Sequence, residues 1–83
     1  MKLSKYVKFR EEKFGGVLFE TRSEKVYTLN PTATAVVREI QAGSDASAIP
    51  AALKARYGDA RGVIETEASA FIAELRQKGL VED

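Results

Sequence analysis

Leu29-Asn30-Pro31-Thr32-Ala33 marks the point at which this 83-residue sequence changes from an extended pattern to a helical one. Asn30 is a favoured helix N-cap, because its side chain accepts a hydrogen bond from a backbone N–H that the helix leaves unpaired. Pro31 suits the first helical position, since its fixed φ matches the helix and its missing N–H loses no hydrogen bond there. The apolar residues that follow at helical spacing before Gly43 are Ala33, Val36, Val37 and Ile40.

Three short runs of β-forming residues precede this boundary. Residues 6–10 alternate apolar and charged side chains, and residues 17–21 follow Gly15-Gly16, which we predict to form the turn between them. A polar link of three residues leads to the third run, Lys25–Leu29, so this run is expected to pair antiparallel with the second. Three strands alone cannot bury a face of their sheet, so another part of the chain must cover one face. We therefore predict that the helices pack on the sheet.

Two further helices are predicted downstream. The second is expected to be capped by Asp45 or Ser47, to hold Pro50 in or just past its first turn, and to end at Gly58. The third is expected to run from residue 65 or 66 to residue 78, with an apolar stripe at helical spacing.

The end of the third predicted helix carries its own signal. Gly79 suits a left-handed C-terminal position, and Leu75 and Leu80 are spaced for the hydrophobic contact of a Schellman ending. The order βββααα, with no repeat or linker, predicts one α+β domain over residues 1–83. We expect a winged-helix-like arrangement in which a three-stranded antiparallel sheet packs on three helices.

Composition excludes several functions. The chain has neither Cys nor His, which removes disulfides, thiol catalysis, the usual zinc and haem ligands and the commonest general base. No group of residues resembles an active site, so we predict a protein that is not an enzyme, with no catalytic residues, metal or cofactor. No apolar stretch of about 18 residues and no signal peptide are found, which predicts a cytoplasmic protein without membrane association.

Charge is distributed mildly along the chain. The net charge is +1; residues 1–29 hold seven Lys or Arg against four acids, and residues 44–83 hold five against seven. Nucleic-acid binders usually present a strong basic patch, so we expect no nucleic-acid partner. The basic half favours an acidic peptide or protein instead.

The third predicted strand carries the most informative feature. In a meander it has one sequential neighbour, and Lys25–Leu29 contains no Pro and a single charge. Proteins usually protect exposed edges with Pro, bulges or several charges. An unprotected edge is either covered, by a helix or by the second copy in a homodimer, or kept for a guest strand. The pattern alone leaves both alternatives open, including a purely structural or dimerisation module.

At this point the sequence resembles the PqqD family, whose members are also called RiPP recognition elements. The resemblance rests on Leu29-Asn30-Pro31-Thr32-Ala33, on the Tyr57-Gly58 ending of the second helix and on residues 71–81, and covers roughly residues 7–82. It departs at Val37, where the family often has an aromatic residue, commonly Trp. The departure favours a PqqD-like chaperone of a different precursor.

The resemblance implies a peptide chaperone that binds the leader of a ribosomally made precursor peptide by strand addition. It implies delivery of that leader to a radical SAM/SPASM modifying enzyme, by a monomer or a homodimer. The alternative is a winged-helix DNA-binding regulator, disfavoured because the strands precede all three helices and the third helix is rich in Glu. The peptide-binding residues that the resemblance implies are Lys25, Val26, Tyr27, Thr28, Leu29, Phe71, Ile72, Leu75, Arg76 and Lys78.

Overall fold

A computed structural model describes residues 1–58 and 62–82. Within them, a three-stranded antiparallel sheet in the order β2-β3-β4 and three helices confirm the predicted α+β fold. The elements are β1 (Lys2–Leu3), β2 (Val7–Glu12), β3 (Gly15–Glu20), β4 (Lys25–Leu29), α1 (Pro31–Gln41), a 3₁₀ turn (Ala46–Ala48), α2 (Ile49–Tyr57), α3 (Ile64–Gln77) and β5 (Val81–Glu82).

The turn between β2 and β3 differs from the prediction. It consists of Lys13 and Phe14, because Gly15 and Gly16 already pair with β2 as strand residues. These glycines are needed for close packing instead. A Cβ on Gly15 would lie 2.1 Å from the carbonyl oxygen of Leu29, and its φ of 147° lies in a region that side chains rarely allow. The pair therefore lets β3 approach the junction between β4 and α1.

Two short strands that the sequence analysis did not predict join the ends of the described chain. Lys2 pairs with Glu82 and Leu3 with Val81, forming an antiparallel sheet of two residues per strand. Such strands are too short to show an alternating pattern. Their pairing holds the segment that follows α3 against the N-terminal segment.

The junction between β4 and α1 forms as predicted. The side chain of Asn30 accepts a hydrogen bond from the backbone N–H of Ala33 at 2.8 Å, and Pro31 is the first helical residue. The inner face of α1 is buried against the sheet and the other helices. Val36, Val37 and Ile40 are at most 1% exposed, so Val37 is a core residue in this chain.

The structure tests two predictions about helix ends, namely the N-cap of the second helix and the Schellman ending of the third. The predicted cap Asp45 accepts from the backbone N–H of Ser47 at 3.4 Å, but it caps the 3₁₀ turn, because that turn intervenes before α2. The Schellman ending of α3 is confirmed: the backbone N–H of Leu80 donates to the carbonyl of Leu75 at 2.9 Å, and Gly79 has a φ of 71°.

Candidate functional site

The outer edge of β4 is the first component of the site. In the described part of the chain β4 pairs with β3 alone, in the register Leu18 to Tyr27. None of the backbone hydrogen bonds found there outside the regular elements involves residues 25–29. Since antiparallel pairing uses alternate backbone groups of a strand, the remaining N–H and C=O groups of β4 point outwards.

The side chains of β4 divide between two faces. Tyr27 is half-buried and Leu29 is buried, so this face of the strand meets the helical layer. Val26, which is 59% exposed, faces the opposite side of the sheet. A strand added to this edge would divide its own side chains in the same way, with alternate residues directed towards the helices.

A narrow cleft lies between β4 and α3. Its volume is about 80 Å³, roughly that of two or three water molecules in the liquid. It therefore has room for one small or medium side chain of a ligand. The residues lining it are Leu18, Tyr27, Thr28, Leu29, Phe71, Glu74, Leu75, Lys78 and Leu80.

A wider, more open hollow continues the cleft beyond the end of β4. Its volume is about 370 Å³, and Phe71 and Glu74 line both spaces. The hollow is lined by Asn30, Thr32, Ala33, Glu67, Ala70, Phe71 and Glu74. We call the cleft and the hollow together the edge groove, since they follow the open edge of the sheet from β4 to the start of α1.

Two charged residues of α3 stand at the rim of the cleft. The ammonium group of Lys78 lies 5.3 Å from the centre of the Tyr27 ring and 2.7 Å from a carboxylate oxygen of Glu74. Both side chains remain partly exposed, at 39% and 52%, so a ligand in the groove can reach them. An exposed pair of this kind contributes little to stability, about 0–1 kcal/mol.

The predicted site residues do not all line the edge groove. Phe71, Leu75 and Lys78 lie on the flank of α3 that faces β4. Ile72 and Arg76 lie on the other flank, where they line a separate depression with residues of the 3₁₀ turn and α2. The structure thus identifies the flank of α3 that accompanies the open strand, which the sequence pattern left undecided.

Sequence reasoning did not select Glu74, Leu18 or Leu80. Glu74 follows Phe71 by three positions and precedes Lys78 by four, so helical spacing was a signal for it. Leu18 and Leu80 reach the cleft through β3 and the segment after α3, and only tertiary structure places them there.

The loop before β4 is held by a carboxylate. Glu20, only 8% exposed, accepts a hydrogen bond from the Ser23 hydroxyl and others from the backbone N–H groups of Arg22 and Ser23, at 3.0 and 2.8 Å. The hydrogen bond from the Ser23 hydroxyl, with the others, lowers the pKa of Glu20 from its ordinary 4.5 to about 2. The carboxylate thus fixes the loop from which β4 begins.

Two further properties concern chemistry and membranes. Residues 1–58 and 62–82 contain no group of three or more acidic side chains placed to hold a metal ion, and the chain has no Cys or His. Across the same residues, each helix is too short or too polar to traverse a bilayer.

The fold and site define a small α+β domain with an open strand edge beside a groove. The family model described as Coenzyme PQQ synthesis protein D (PqqD) matches residues 15–81, which is most of the chain. This protein therefore belongs to the PqqD family. Comparison with curated proteins gave no match.

Solved structures share the fold over almost the whole chain. A structure of lasso peptide synthetase B1 complexed with the leader peptide has a TM-score of 0.78 at 23% identity, covering 99% of this chain and 96% of that one. TbiB1 in complex with the TbiA(beta) leader peptide has a TM-score of 0.81 at 23% identity, covering 99% and 95%. SuiB of Streptococcus suis has a TM-score of 0.55 at 17% identity; the match spans this whole chain but 17% of SuiB.

Proposed function

We propose that this protein is a non-catalytic peptide chaperone that binds the leader segment of a ribosomally made precursor peptide. The observation that carries the proposal is the open edge of β4 beside the apolar cleft formed with α3. The leader adds as a fourth strand next to β4, and one apolar side chain enters the cleft between Tyr27 and Phe71. Similarity of fold to two proteins solved with leader peptides supports this binding mode.

The expected affinity is modest. Pairing along β4 supplies several main-chain hydrogen bonds, each contributing about 0.5–1.5 kcal/mol net. An apolar anchor contributes about 25 cal/mol for each Å² that it buries. Ordering a disordered leader costs roughly 2–5 kcal/mol. The balance favours a dissociation constant around micromolar, or about −8 kcal/mol.

The chaperone then presents the bound leader to a modifying enzyme, which we take to be a radical SAM/SPASM protein. Two observations support a carrier role: the chain has neither Cys nor His, and its fold also occurs as 17% of the longer SuiB chain. A cytoplasmic location and action as one domain, alone or as a homodimer, belong to the same proposal.

The test is a titration of isotope-labelled protein with synthetic leaders of precursor peptides encoded beside its gene. Resonances of Lys25–Leu29 and of Phe71, Leu75 and Lys78 should shift, and those of Ile72 and Arg76 should move less. Saturating shifts confined to the other flank of α3, or none with any neighbouring leader, would refute the proposed binding mode.

The alternative DNA-binding role makes a different prediction. The face of α3 along the groove presents Glu67 and Glu74, and carboxylates there repel a polyanion. We therefore expect no submicromolar, salt-dependent binding to duplex DNA at about 150 mM salt. Such binding in a mobility-shift assay would favour the regulator.

A further inference from the structure

We infer that the outer face of the main sheet, which carries Lys8, Val17, Phe19 and Val26, is the docking surface for the modifying enzyme. The surface of the enzyme that fits it is apolar at its centre and acidic at its rim. The inference rests on the proposed function, because a leader strand beside β4 would complete this face. It is carried by apolar side chains that lie outside the core of this small domain.

The centre of the outer face is apolar. Strand alternation places Val17 and Phe19 opposite the buried Leu18, and Phe19 is paired with Val26 of β4 in the register of the sheet. In the described part of the chain, none of Val17, Phe19 and Val26 belongs to the hydrophobic core or packs against it. Antiparallel sheets usually present polar side chains on a face that meets water. Adjacent apolar side chains there indicate a contact with another molecule.

The β2 side of the same face is basic. Lys8 is exposed and is paired with Phe19 across the sheet. Its ammonium group has no ion-pair partner within residues 1–58 and 62–82. Arg10 lies on the same strand face, but its guanidinium is 2.9 Å from the carboxylate of Glu12, so these two charges offset each other. The charge that remains is positive and favours an acidic partner.

The size of the outer face favours a transient partner over a second copy of this chain. Its three strands hold six, six and five residues, which gives a footprint of about 20 Å by 14 Å, or roughly 280 Å². Each partner in a stable interface buries about 800 Å². Pairing two copies through this face would also place like charges in one small interface. A brief contact during delivery of a peptide requires less area.

A bound leader would enlarge the outer face. A guest strand lies about 4.8 Å from its neighbour, and its side chains alternate between the two sides of the sheet. The outward side chains of the leader would therefore stand beside Val26 and continue the row of Lys8, Phe19 and Val26 across the strands. An enzyme seated on this row contacts the domain and the leader together. It therefore binds the loaded chain more tightly than the empty one.

The test is a calorimetric titration of the full chain with the purified modifying enzyme encoded beside its gene, with and without a leader fragment limited to the segment that pairs with β4. The fragment should raise the affinity for the enzyme about fivefold or more, and the enzyme should raise the affinity for the fragment by the same factor, because coupling is reciprocal.

Two altered fragments, each with Ser at alternate positions, separate the two faces of the guest. The fragment that keeps its affinity for the chain has lost only outward side chains, and it should no longer raise the affinity for the enzyme. If it still does, the inference is overturned.

Substitutions on the outer face separate this inference from the proposed function. Phe19→Thr should weaken enzyme binding about tenfold. Lys8→Glu should weaken it about threefold at low salt and less at about 0.5 M salt. Both variants should keep the leader affinity of the wild type, because neither residue lines the edge groove; the same measurement shows that they are folded. Lys54→Glu, which alters an exposed lysine of α2, is the control.

The outcomes are distinguishable. Enzyme binding that Phe19→Thr leaves unchanged, equal losses in Lys8→Glu and Lys54→Glu, or no enzyme binding by the wild type would overturn this inference and leave leader binding standing. Self-association of the wild type that Phe19→Thr abolishes, measured by analytical ultracentrifugation, would assign the face to a second copy and also overturn it. Failure of the wild type to bind any leader would instead overturn the proposed function.

Discussion

The ammonium group of Lys78 on α3 lies 5.3 Å from the centre of the Tyr27 ring on β4. This contact joins the helix to the one strand of the main sheet whose outer edge faces the groove. A cation over an aromatic face contributes about 0.5–1 kcal/mol at an exposed site. The contact therefore stabilises one wall of the cleft but leaves the cleft open. The role of the groove can be tested by substituting its lining residues one at a time.

Phe71→Ala should weaken leader binding by about tenfold or more. Phe71 lines both parts of the edge groove, and aromatic residues at the centre of an interface commonly contribute more than 1 kcal/mol. Calorimetric titration with the leader measures the loss. Tyr57→Ala is the control, because Tyr57 is also an exposed aromatic residue, 52% accessible, but lies on α2 and does not line the groove. Equal losses in the two variants would contradict the site.

A proline at one of two positions in β4, Tyr27 or Thr28, should abolish leader binding and leave the protein folded. Successive residues of an antiparallel strand point their N–H groups in opposite directions, so either Tyr27 or Thr28 has an N–H on the open edge. Proline removes that donor and is tolerated on edge strands. Both Tyr27→Pro and Thr28→Pro are made, and the variant that still unfolds cooperatively is titrated with the leader. Unchanged affinity in that variant would exclude strand addition.

The main elements were predictable because each depends on local physics. The Asn30 cap, the helix start at Pro31 and the Schellman ending between Leu75 and Leu80 each depend on a few adjacent residues. All three are present in the structure. Chain order predicted that β4 would lie at an edge of the sheet, but it left open whether that edge is covered. The flank of α3 that lines the groove was not, because Phe71 and Ile72 are equally apolar in sequence, and only packing directs one to β4 and the other away.

Gly15 shows why a local reading of the glycine pair was wrong, and it gives a stability prediction. Gly15→Ala places a Cβ 2.1 Å from the Leu29 carbonyl oxygen in a backbone conformation with a φ of 147°. The clash is with backbone, so the junction of β4 and α1 must move. Chemical denaturation should show a loss of several kcal/mol, or a failure to fold. At Gly43 the φ of 89° also disfavours a side chain, but a Cβ would have open space, so Gly43→Ala is expected to cost less than Gly15→Ala.

Thr34→Val should stabilise the protein. Thr34 on α1 is 1% exposed, and its hydroxyl has no hydrogen-bond partner among the described residues. An unsatisfied buried hydroxyl costs about 1–3 kcal/mol relative to an apolar group of the same shape. We expect the free energy of unfolding to rise by about 1 kcal/mol, as measured by urea denaturation. Thr32→Val, at a less buried position of the same helix, is the matched control. A less stable Thr34→Val protein would indicate a partner for the hydroxyl.

Glu20 should make stability depend on pH in the acid range. Its pKa is lowered to about 2 in the folded state, against an ordinary value of 4.5. Between these values the unfolded state binds the proton and the folded state does not, so stability falls as the pH falls. The stabilisation is complete above about 4.5 and lost as the pH passes 2.

Glu20→Gln removes this titration and should be less stable than the wild type at pH 7. Because the pKa of Glu11 is also lowered, chiefly by its hydrogen bond from Arg38, the quantity to measure is the difference between the two proteins at each pH. Denaturation curves from pH 7 to pH 2 should show that difference shrinking as Glu20 becomes protonated. A difference that stays constant with pH would mean that the Glu20 carboxylate is not held by Arg22 and Ser23, and that the loop before β4 is fixed in another way.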